Sequence, residues 1–347
     1  MTVGLRILLT LASFTIVSAG IHSAKEILTP LLLAAFLATI CAPTLGWLIR
    51  RLGSRPLALL IVILGMAVVC AAVAAMIGRP IHDLHQNLDD YKQPLQQKVN
   101  ALAAQLTSMG IDIPDDIQDA SLNTDEAVEH LRKLLGGLIG LFGKGMFVLF
   151  YFVFILLEAS GFPDKLAAMP GDTAERKKRL NKVLVETRQY VAIKTVTSLA
   201  TGVAIGLSLL LLEIPHAPLW GLLAFLFNYI PNIGSIIAAA PPIVLAFITG
   251  DGSTVIWVMI VFVSVNLIVG NFIEPRMMGQ GLGLSTLVIL LSLVFWGFVL
   301  GPVGMLLSVP LTMVAKIALS ASDDTHWLAI LLSDKAPPAE TTGAVTG

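Results

Sequence analysis

The uncharged polar residues that could bind a solute lie within otherwise apolar sequence: Asn228, Asn232, Ser235, Asn266 and Asn271. An asparagine amide both donates and accepts hydrogen bonds, and so does a serine hydroxyl. Such groups can contact a small polar solute, but in membrane helices they also bond to neighbouring helices. Residues 214–250 and 252–273 contain no Lys, Arg, Asp or Glu, which favours a neutral solute over a strongly charged one.

The peptide between Asn228 and Ser235 is predicted to interrupt a helix. Pro231 lacks a backbone N–H, and the residue before a proline avoids the α-helical region, so the helix should break near Ile230. Broken backbone at membrane depth has to be buried in protein or to line a wet cavity, because lipid offers no hydrogen bonds. We therefore expect Pro231 and Gly234 to form a substrate-binding site together with the five polar residues.

Two further features are candidates for gating, or for coupling transport to an ion. Gly301, Pro302 and Gly304 interrupt another long apolar segment and predict a second break. Glu274 and Arg276 flank a proline and form a charge pair between apolar segments. Ionisable residues at membrane depth are functional candidates by default, and Glu274 could exchange protons. The alternative for this pair is a surface ion pair in a loop that the proline stiffens.

The sequence contains no recognisable catalytic constellation. Its six histidines are scattered, and no Ser-His-Asp, nucleotide-binding or HExxH pattern occurs. The glycines of 279–283 lack the strand-then-helix context of a phosphate-binding loop. Cys41 and Cys70 lie in apolar runs without metal or redox spacing. We therefore expect no enzymatic activity, no bound cofactor, no metal site and no direct use of ATP.

The composition of the chain indicates a membrane environment for these residues. Of its 347 residues, 56% are hydrophobic and 13% are charged, and the mean hydropathy is +0.85. An average soluble domain is about 25% charged, so a soluble fold would expose much apolar surface to water. The net charge of −1 provides no basic field for nucleic acid. The sequence predicts an all-α polytopic membrane protein that contacts lipid and binds no nucleic acid.

Apolar runs define the elements that position the polar residues, because a helix of about 20 apolar residues crosses a bilayer. The eight predicted segments are residues 5–21, 28–49, 57–77, 138–157, 193–212, 219–249, 254–273 and 284–318. The segments 219–249 and 284–318 are too long for ordinary spans, and each break leaves two arms that are too short to cross. We expect two re-entrant helical hairpins with tips in the bilayer; two kinked full-length helices are the alternative.

A weak internal repeat relates the two broken segments. Trp220 and Gly221 precede the first break, and Trp296 and Gly297 precede the second. The span 193–212 with the first hairpin would then mirror the span 254–273 with the second, in opposite orientation. Paired broken segments in inverted repeats point to the binding site of a transporter.

Lysines and arginines near the ends of spans indicate the orientation, because cytoplasmic loops are enriched in them. Residues 50–55 and 158–192 carry basic clusters, so we place both segments and both chain termini in the cytoplasm. A basic helix at 172–190 would fix this topology or bind anionic lipid. Lys194, just inside the fifth span, is expected to snorkel to the cytoplasmic surface.

Residues 79–137 form a hydrophilic block that this orientation places outside. Pro80 suits the first turn of a helix, and Ile81, Leu84 and Leu88 follow helical spacing. The resulting apolar stripe indicates either a subunit contact or cap over the transport path, or a helix packed on the second half of the block. The second interpretation is the simpler one.

These predictions divide the chain into five regions. Residues 1–77 hold the first three spans, and residues 78–137 form an extracytoplasmic helical insertion. Residues 138–192 hold the fourth span and the cytoplasmic basic helix. Residues 193–318 form the transport core with its two broken segments, and residues 319–347 form a cytoplasmic tail.

Three stretches resemble the autoinducer-2 exporter family: WGLLAFLFNYIPNIGS at 220–235, NFIEPRMMGQGLGLSTLV at 271–288 and GPVGMLLSVPLT at 301–312. The resemblance covers about residues 20–335, including the spacing of the spans and the outward insertion. It implies a multi-pass protein of the bacterial inner membrane that exports autoinducer-2, a small neutral polar signal, in quorum sensing. It also implies a homo-oligomer, with a pentamer as the expected state.

Three functions remain open at this point. The first is a secondary exporter of autoinducer-2 that works by alternating access, with its solute site at the hairpin tips. The second is a sodium–proton antiporter, which other family members resemble; it would need a titratable group, and Glu274 is the candidate. The third is a membrane scaffold without transport activity, built around the insertion 79–137.

Overall fold

The computed structural model describes residues 2–86, 90, 92–109, 129, 132–133, 136–137, 143, 145–159, 173–231, 233–278, 284–320 and 325–334. All longer regular elements in these ranges are helices: α1 Val3–Ser23, α2 Lys25–Leu52, α3 Arg55–Gln86, α4 Lys92–Ser108, α5 Gly145–Glu158, α6 Thr173–Leu211, α7 Ala217–Phe227, α8 Ile233–Thr249, α9 Gly252–Asn266, a π-helix Leu267–Ile273, α10 Glu274–Met278, α11 Thr286–Leu300, α12 Pro302–Leu306, α13 Ser308–Ser320 and α14 His326–Leu331. This confirms the predicted all-α class.

The helices have the lengths and surfaces of membrane helices. Four described stretches are long and apolar enough to cross a bilayer, namely Lys25–Leu52, Arg55–Leu84, Val185–Leu211 and Gly252–Met278. Large apolar side chains are exposed on them, such as Val68 at 67% and Trp257 at 55%. Water penalises such exposure, whereas lipid tails do not. The chain is therefore a polytopic membrane protein, as its composition predicts.

Two predicted helix boundaries are wrong. α3 continues through Pro80 to Gln86, so this proline lies inside a helix. A proline in a helix costs about 3 kcal/mol, but Ile77, Ile81 and Leu84 around it are fully buried. Prolines are tolerated inside membrane helices because neighbouring groups satisfy the freed backbone carbonyl, so this packed position can hold one. Further along, the basic segment 172–190 and the fifth span are one continuous helix, α6.

The described residues form two compact units. One comprises those within 1–29, 161–193 and 275–347, and the other those within 30–160 and 194–274. In the first unit, α1 packs on α11, where the rings of Phe14 and Phe295 stack at 5.5 Å. α13 packs on both α11 and α14 in the same unit.

The second unit has two apolar cores. One joins α2, α3 and α5, with Ala34, Ala58 and Phe152 fully buried. The other joins α3, α6, α7, α8 and α9 around the fully buried Trp220. The described part of the apolar stripe, Ile81 and Leu84, packs into this second core. The start of the insertion therefore packs with the first broken segment.

The first broken segment is a helical hairpin, hereafter hairpin 1 (Ala217–Thr249). α7 ends at Phe227 and α8 begins at Ile233, so the break lies where Pro231 predicts it. A Cβ on Gly234 would lie 1.8 Å from the Phe227 carbonyl oxygen, whereas residues seven apart in one helix are about 10 Å apart. The chain therefore turns back at this tip, and a single kinked helix is excluded.

The second broken segment, hairpin 2 (Thr286–Ser320), turns in the same way. α11 ends at Leu300, and a Cβ on Gly304 would lie 2.0 Å from the Trp296 carbonyl oxygen. Gly301 at the turn has φ +73° and ψ −154°, a conformation that is essentially restricted to glycine. The glycines predicted from the sequence are thus required by the geometry of both tips.

Candidate functional site

α6 and α7 are in direct backbone contact, which fixes hairpin 1 beside α6. A Cβ on Gly221 would lie 2.7 Å from the Gly202 carbonyl oxygen and 2.8 Å from the Gly206 Cα. Gly202 and Gly206 have the spacing of four residues that lets membrane helices approach closely. Because the helices are antiparallel here, residues that precede Gly202 on α6 lie next to residues that follow α7.

Polar side chains pair across this contact at the tip of hairpin 1. The Asn228 amide donates a hydrogen bond to the Ser198 hydroxyl at 3.0 Å. The Tyr229 hydroxyl donates to the Thr195 hydroxyl at 2.8 Å. Thr195 and Ser198 are three residues apart and therefore share one face of α6. Ser198 has no exposed surface and Tyr229 is buried, so these bonds lie in the interior of the unit.

A buried ion pair lies one residue before this polar face. The Lys194 ammonium lies 2.8 Å from each carboxylate oxygen of Glu274. Lys194 is 5% exposed and the Glu274 side chain 16%. The expectation that Lys194 snorkels to the surface is therefore wrong. The alternative of a surface ion pair in a loop is wrong as well, because Glu274 lies in helix α10 and its carboxylate contacts Lys194. The role of Glu274 in gating or coupling stays a prediction.

The backbone before Glu274 is a π-helix, Leu267–Ile273. Pro275 accounts for it, because a proline ring clashes with the carbonyl four residues earlier in an α-helix, here that of Asn271. The wider π-turn relieves the clash, and the Glu274 N–H bonds to the Val269 carbonyl, five residues earlier. Such π segments are frequent at functional sites. The local sequence thus positions Glu274 at the end of an irregular turn.

The structure brings some of the predicted site residues together at one tip. Asn228, Pro231, Gly234 and Ser235 all lie at or beside the tip of hairpin 1, with Gly234 buried and the other three half-buried. Asn232 lies outside the described residues.

Asn266 and Asn271 lie on the segment that leads to Glu274. Asn266 is half-buried at the end of α9, and Asn271 is exposed on the π-helix. Arg276 is exposed on α10. Of the residues between Asn266 and Arg276 that the sequence assigns to the site, Glu274 is the one whose described contact reaches α6.

The candidates in hairpin 2 shape its turn. Gly304 is buried, Gly301 half-buried, and Pro302 exposed as the first residue of α12, a position that suits proline. The Trp296 indole N–H donates to the Thr312 hydroxyl at 3.0 Å, which ties α11 to α13 beside the turn.

Sequence reasoning missed the residues that α6 contributes: Lys194, Thr195 and Ser198. A signal was present, because Lys194, Thr197, Ser198 and Thr201 repeat at helical spacing within an apolar span. All four are buried. A polar stripe of this kind has to face protein, since lipid cannot satisfy it.

The site therefore offers hydroxyls, an amide and one neutralised ion pair. Among the described residues, no group of three His, Cys, Asp or Glu side chains could hold a metal ion. Amides and hydroxyls both donate and accept hydrogen bonds, so the arrangement is suited to orienting a neutral polar solute.

Helical hairpins with broken tips, and a polar site at one tip, are features of membrane transporters. The sequence model of the AI-2E family transporters matches residues 7–323, and the chain belongs to that family. It is 37% identical to the AI-2 transport protein TqsA of Escherichia coli K12 over 95% of this chain and 96% of TqsA. It is also 36% identical to YhhT of the same organism, over 98% of this chain and 97% of YhhT.

A Haemophilus influenzae relative is 38% identical over 95% of this chain and 96% of that protein. The names of YhhT and of this relative describe transport only provisionally. The family predicted from three short stretches is thus confirmed across nearly the whole chain.

Proposed function

We propose that this chain is a secondary transporter that exports autoinducer-2 across the bacterial inner membrane and so serves quorum sensing. The observation that carries the proposal is the bonded polar cluster of Asn228, Ser198, Tyr229 and Thr195 at a broken helix tip. The name of the relative TqsA, which describes AI-2 transport, supports the choice of solute.

The depth of the tip follows from the length of α7. Its 11 residues span about 16 Å, roughly half of a hydrocarbon core about 30 Å thick. Hairpin 1 is therefore re-entrant in this proposal, and its tip lies near the middle of the membrane. Alternating access then opens the tip to one side at a time.

The other residues assigned from sequence have roles in this proposal. Asn232, Ser235, Asn266 and Asn271 complete the solute site around Asn228, Pro231 and Gly234. Glu274 and Arg276, and Gly301, Pro302 and Gly304 of hairpin 2, belong to gating or coupling. The exposed apolar faces contact lipid and further copies of the chain, and the expected oligomer is a pentamer.

Transport is tested by uptake of labelled autoinducer-2 into proteoliposomes, with and without a proton gradient. Asn228→Ala should abolish most of the flux, because it removes the amide that bonds Ser198. Thr201→Val is the matched control, because the Thr201 hydroxyl bonds only within α6, to the Thr197 carbonyl. Wild-type vesicles without uptake above empty liposomes would contradict the proposal.

The re-entrant topology has its own test. In a chain with Cys41 and Cys70 replaced by alanine, single cysteines are placed at Glu213 and Asp251, which flank hairpin 1. Both should react with a membrane-impermeant thiol reagent from the same side, whereas a segment that spans the membrane would separate them. Cysteines near both chain termini should react only from the cytoplasmic side.

The buried Lys194–Glu274 pair supports a second candidate, a sodium–proton antiporter. In that function, Glu274 would release Lys194 and bind a proton as the site opens. A sodium gradient should then drive proton movement in proteoliposomes. That movement should vanish in the Lys194→Met/Glu274→Gln double variant, which leaves no unpaired buried charge. Absence of sodium-driven proton flux in the wild type would remove this candidate.

A further inference from the structure

The turn between α2 and α3 lies at a membrane surface. Lys25–Leu52 and Arg55–Leu84 are both long and apolar enough to cross a bilayer, so the two residues that join them lie where one crossing ends and the next begins. Gly53 has φ +63°, which lets α2 end in a left-handed cap. The Gly53 N–H bonds to the Ile49 carbonyl at 3.0 Å. The turn is therefore short, ordered and level with the lipid headgroups.

Three arginines flank this turn. Arg50 and Arg51 lie in the last turn of α2, and Arg55 is the first residue of α3. All three are exposed, and no carboxylate among the described residues lies within ion-pair distance of them. Their own helices supply none nearby, because residues 27–82 contain no Asp or Glu. The turn thus presents three positive charges that no described side chain neutralises.

The indole of Trp47 orients one of these guanidinium groups. The central carbon of the Arg51 guanidinium lies 5.8 Å from the centroid of the Trp47 ring, which is within the range of cation–π attraction. Stacking of this kind uses the face of the guanidinium and leaves the N–H groups along its edge available. An arginine held in this way can donate two parallel hydrogen bonds to one phosphate group.

Apolar side chains beside the turn indicate the source of that phosphate. Trp47, Leu52 and Leu57 are exposed, and tryptophan is typical of the level at which headgroups meet acyl chains. The phosphate of a lipid is held at this level, and the acyl chains of the same molecule cover apolar side chains. A free phosphate in water gains no such contact. The surface therefore complements an anionic lipid in both charge and polarity.

We propose that Arg50, Arg51 and Arg55, together with Trp47, bind the phosphate of an anionic phospholipid such as phosphatidylglycerol. Basic residues in a short loop also fix the orientation of a membrane protein, but lysine serves that purpose as well as arginine. Residues 26–91 contain no lysine, and the planar guanidinium is the better partner for phosphate. The proposal is independent of the transported solute, because lipid binding is measured without transport.

The test measures the binding of short-chain lipids to the purified protein in neutral detergent through the rise in Tm. Dioctanoyl phosphatidylglycerol should raise the Tm with a saturable dependence on concentration. Dioctanoyl phosphatidylcholine, whose headgroup carries a compensating positive charge, should not. Arg51→Lys keeps the charge but loses one charged hydrogen bond, so its apparent affinity should be about tenfold weaker. Its Tm without lipid should stay within a few degrees of the wild-type value.

Arg79→Lys is the matched control. Arg79 is exposed near the opposite end of α3, more than about 30 Å from Arg55, so this variant should bind lipid like the wild type. Unchanged binding in Arg51→Lys, or equal binding of the two lipids, would overturn the proposal. Competition by inorganic phosphate at a concentration equal to that of the lipid would overturn the choice of a lipid. Loss of subunit association in Arg51→Lys without a change in lipid binding would assign this surface to a second copy of the chain instead.

Discussion

The Lys194 ammonium donates to both carboxylate oxygens of Glu274 at 2.8 Å, across 80 residues of sequence. The pair ties the middle of α6 to the end of the π-helix. α9 and the π-helix, residues 252–273, which precede Glu274, contain no charged residue. The charge of each partner is therefore compensated chiefly by the other.

Removal of one member of the pair should destabilise the protein strongly. A charge left buried without its partner costs roughly 3–5 kcal/mol, whereas replacement of both members by apolar residues is often nearly neutral. We expect Lys194→Met and Glu274→Met each to lower the free energy of unfolding by that amount, and the double variant to recover most of it. Reversible unfolding in detergent gives the free energy of unfolding of the wild type, the two single variants and the double variant. Additive losses in the double variant would show that the two residues act independently.

Gly234 should not tolerate even a methyl group. The Cβ of Gly234→Ala would lie 1.8 Å from the Phe227 carbonyl oxygen, so the tip of hairpin 1 has to open. Large losses of stability are typical of such overpacking, and we expect transport to be lost. Gly65→Ala is the control, because a Cβ there meets nothing within 4 Å and α3 should gain about 0.5–1 kcal/mol. Wild-type transport by Gly234→Ala would refute the tip geometry.

The contact between α6 and α7 predicts a graded response. A Cβ on Gly221 would lie 2.7 Å from the Gly202 carbonyl oxygen, but a Cβ on Gly206 would approach nothing closer than 3.4 Å. Gly221→Ala should therefore displace hairpin 1 from α6, while Gly206→Ala should be mild. A cysteine pair at Thr195 and Tyr229 reports the displacement through its rate of cross-linking. Equal rates in the two alanine variants would contradict this packing.

Elements governed by local chemistry were predictable from the sequence. Pro231 and Gly301 locate the two breaks. Proline fixes φ and lacks an N–H, and glycine can adopt a positive φ, wherever either residue occurs. The two glycines at the tips were predicted as part of the turns, and the close approach of the backbone explains why they are needed.

Contacts between distant residues were not predictable in the same way. Lys194 resembles any lysine near the end of a span, and nothing close to it in sequence indicates Glu274 as its partner. Pro80 resembles a helix start because its effect on the backbone is local, whereas the packing of Ile81 and Leu84 beside it depends on α7 and α8. Polar stripes inside long spans are the signal that would have indicated the buried polar face of α6.

The start of α9 should respond to acid through Asp251. This exposed carboxylate accepts bonds from the Thr254 hydroxyl at 2.7 Å and the Thr254 N–H at 2.9 Å, and from the Ser253 hydroxyl at 2.8 Å. The Thr254 hydroxyl, then its N–H and the Ser253 hydroxyl, lower the pKa of Asp251 from its ordinary 3.8 to about 2. Because the folded pKa is the lower one, the ionised cap stabilises the helix above about pH 4, and this stabilisation is lost as the pH falls through about 2.

Asp251→Asn keeps a comparable cap without a titrating group. The Tm of the wild type should therefore fall relative to that of Asp251→Asn between about pH 5 and about pH 2, and a constant difference would show that the cap does not contribute.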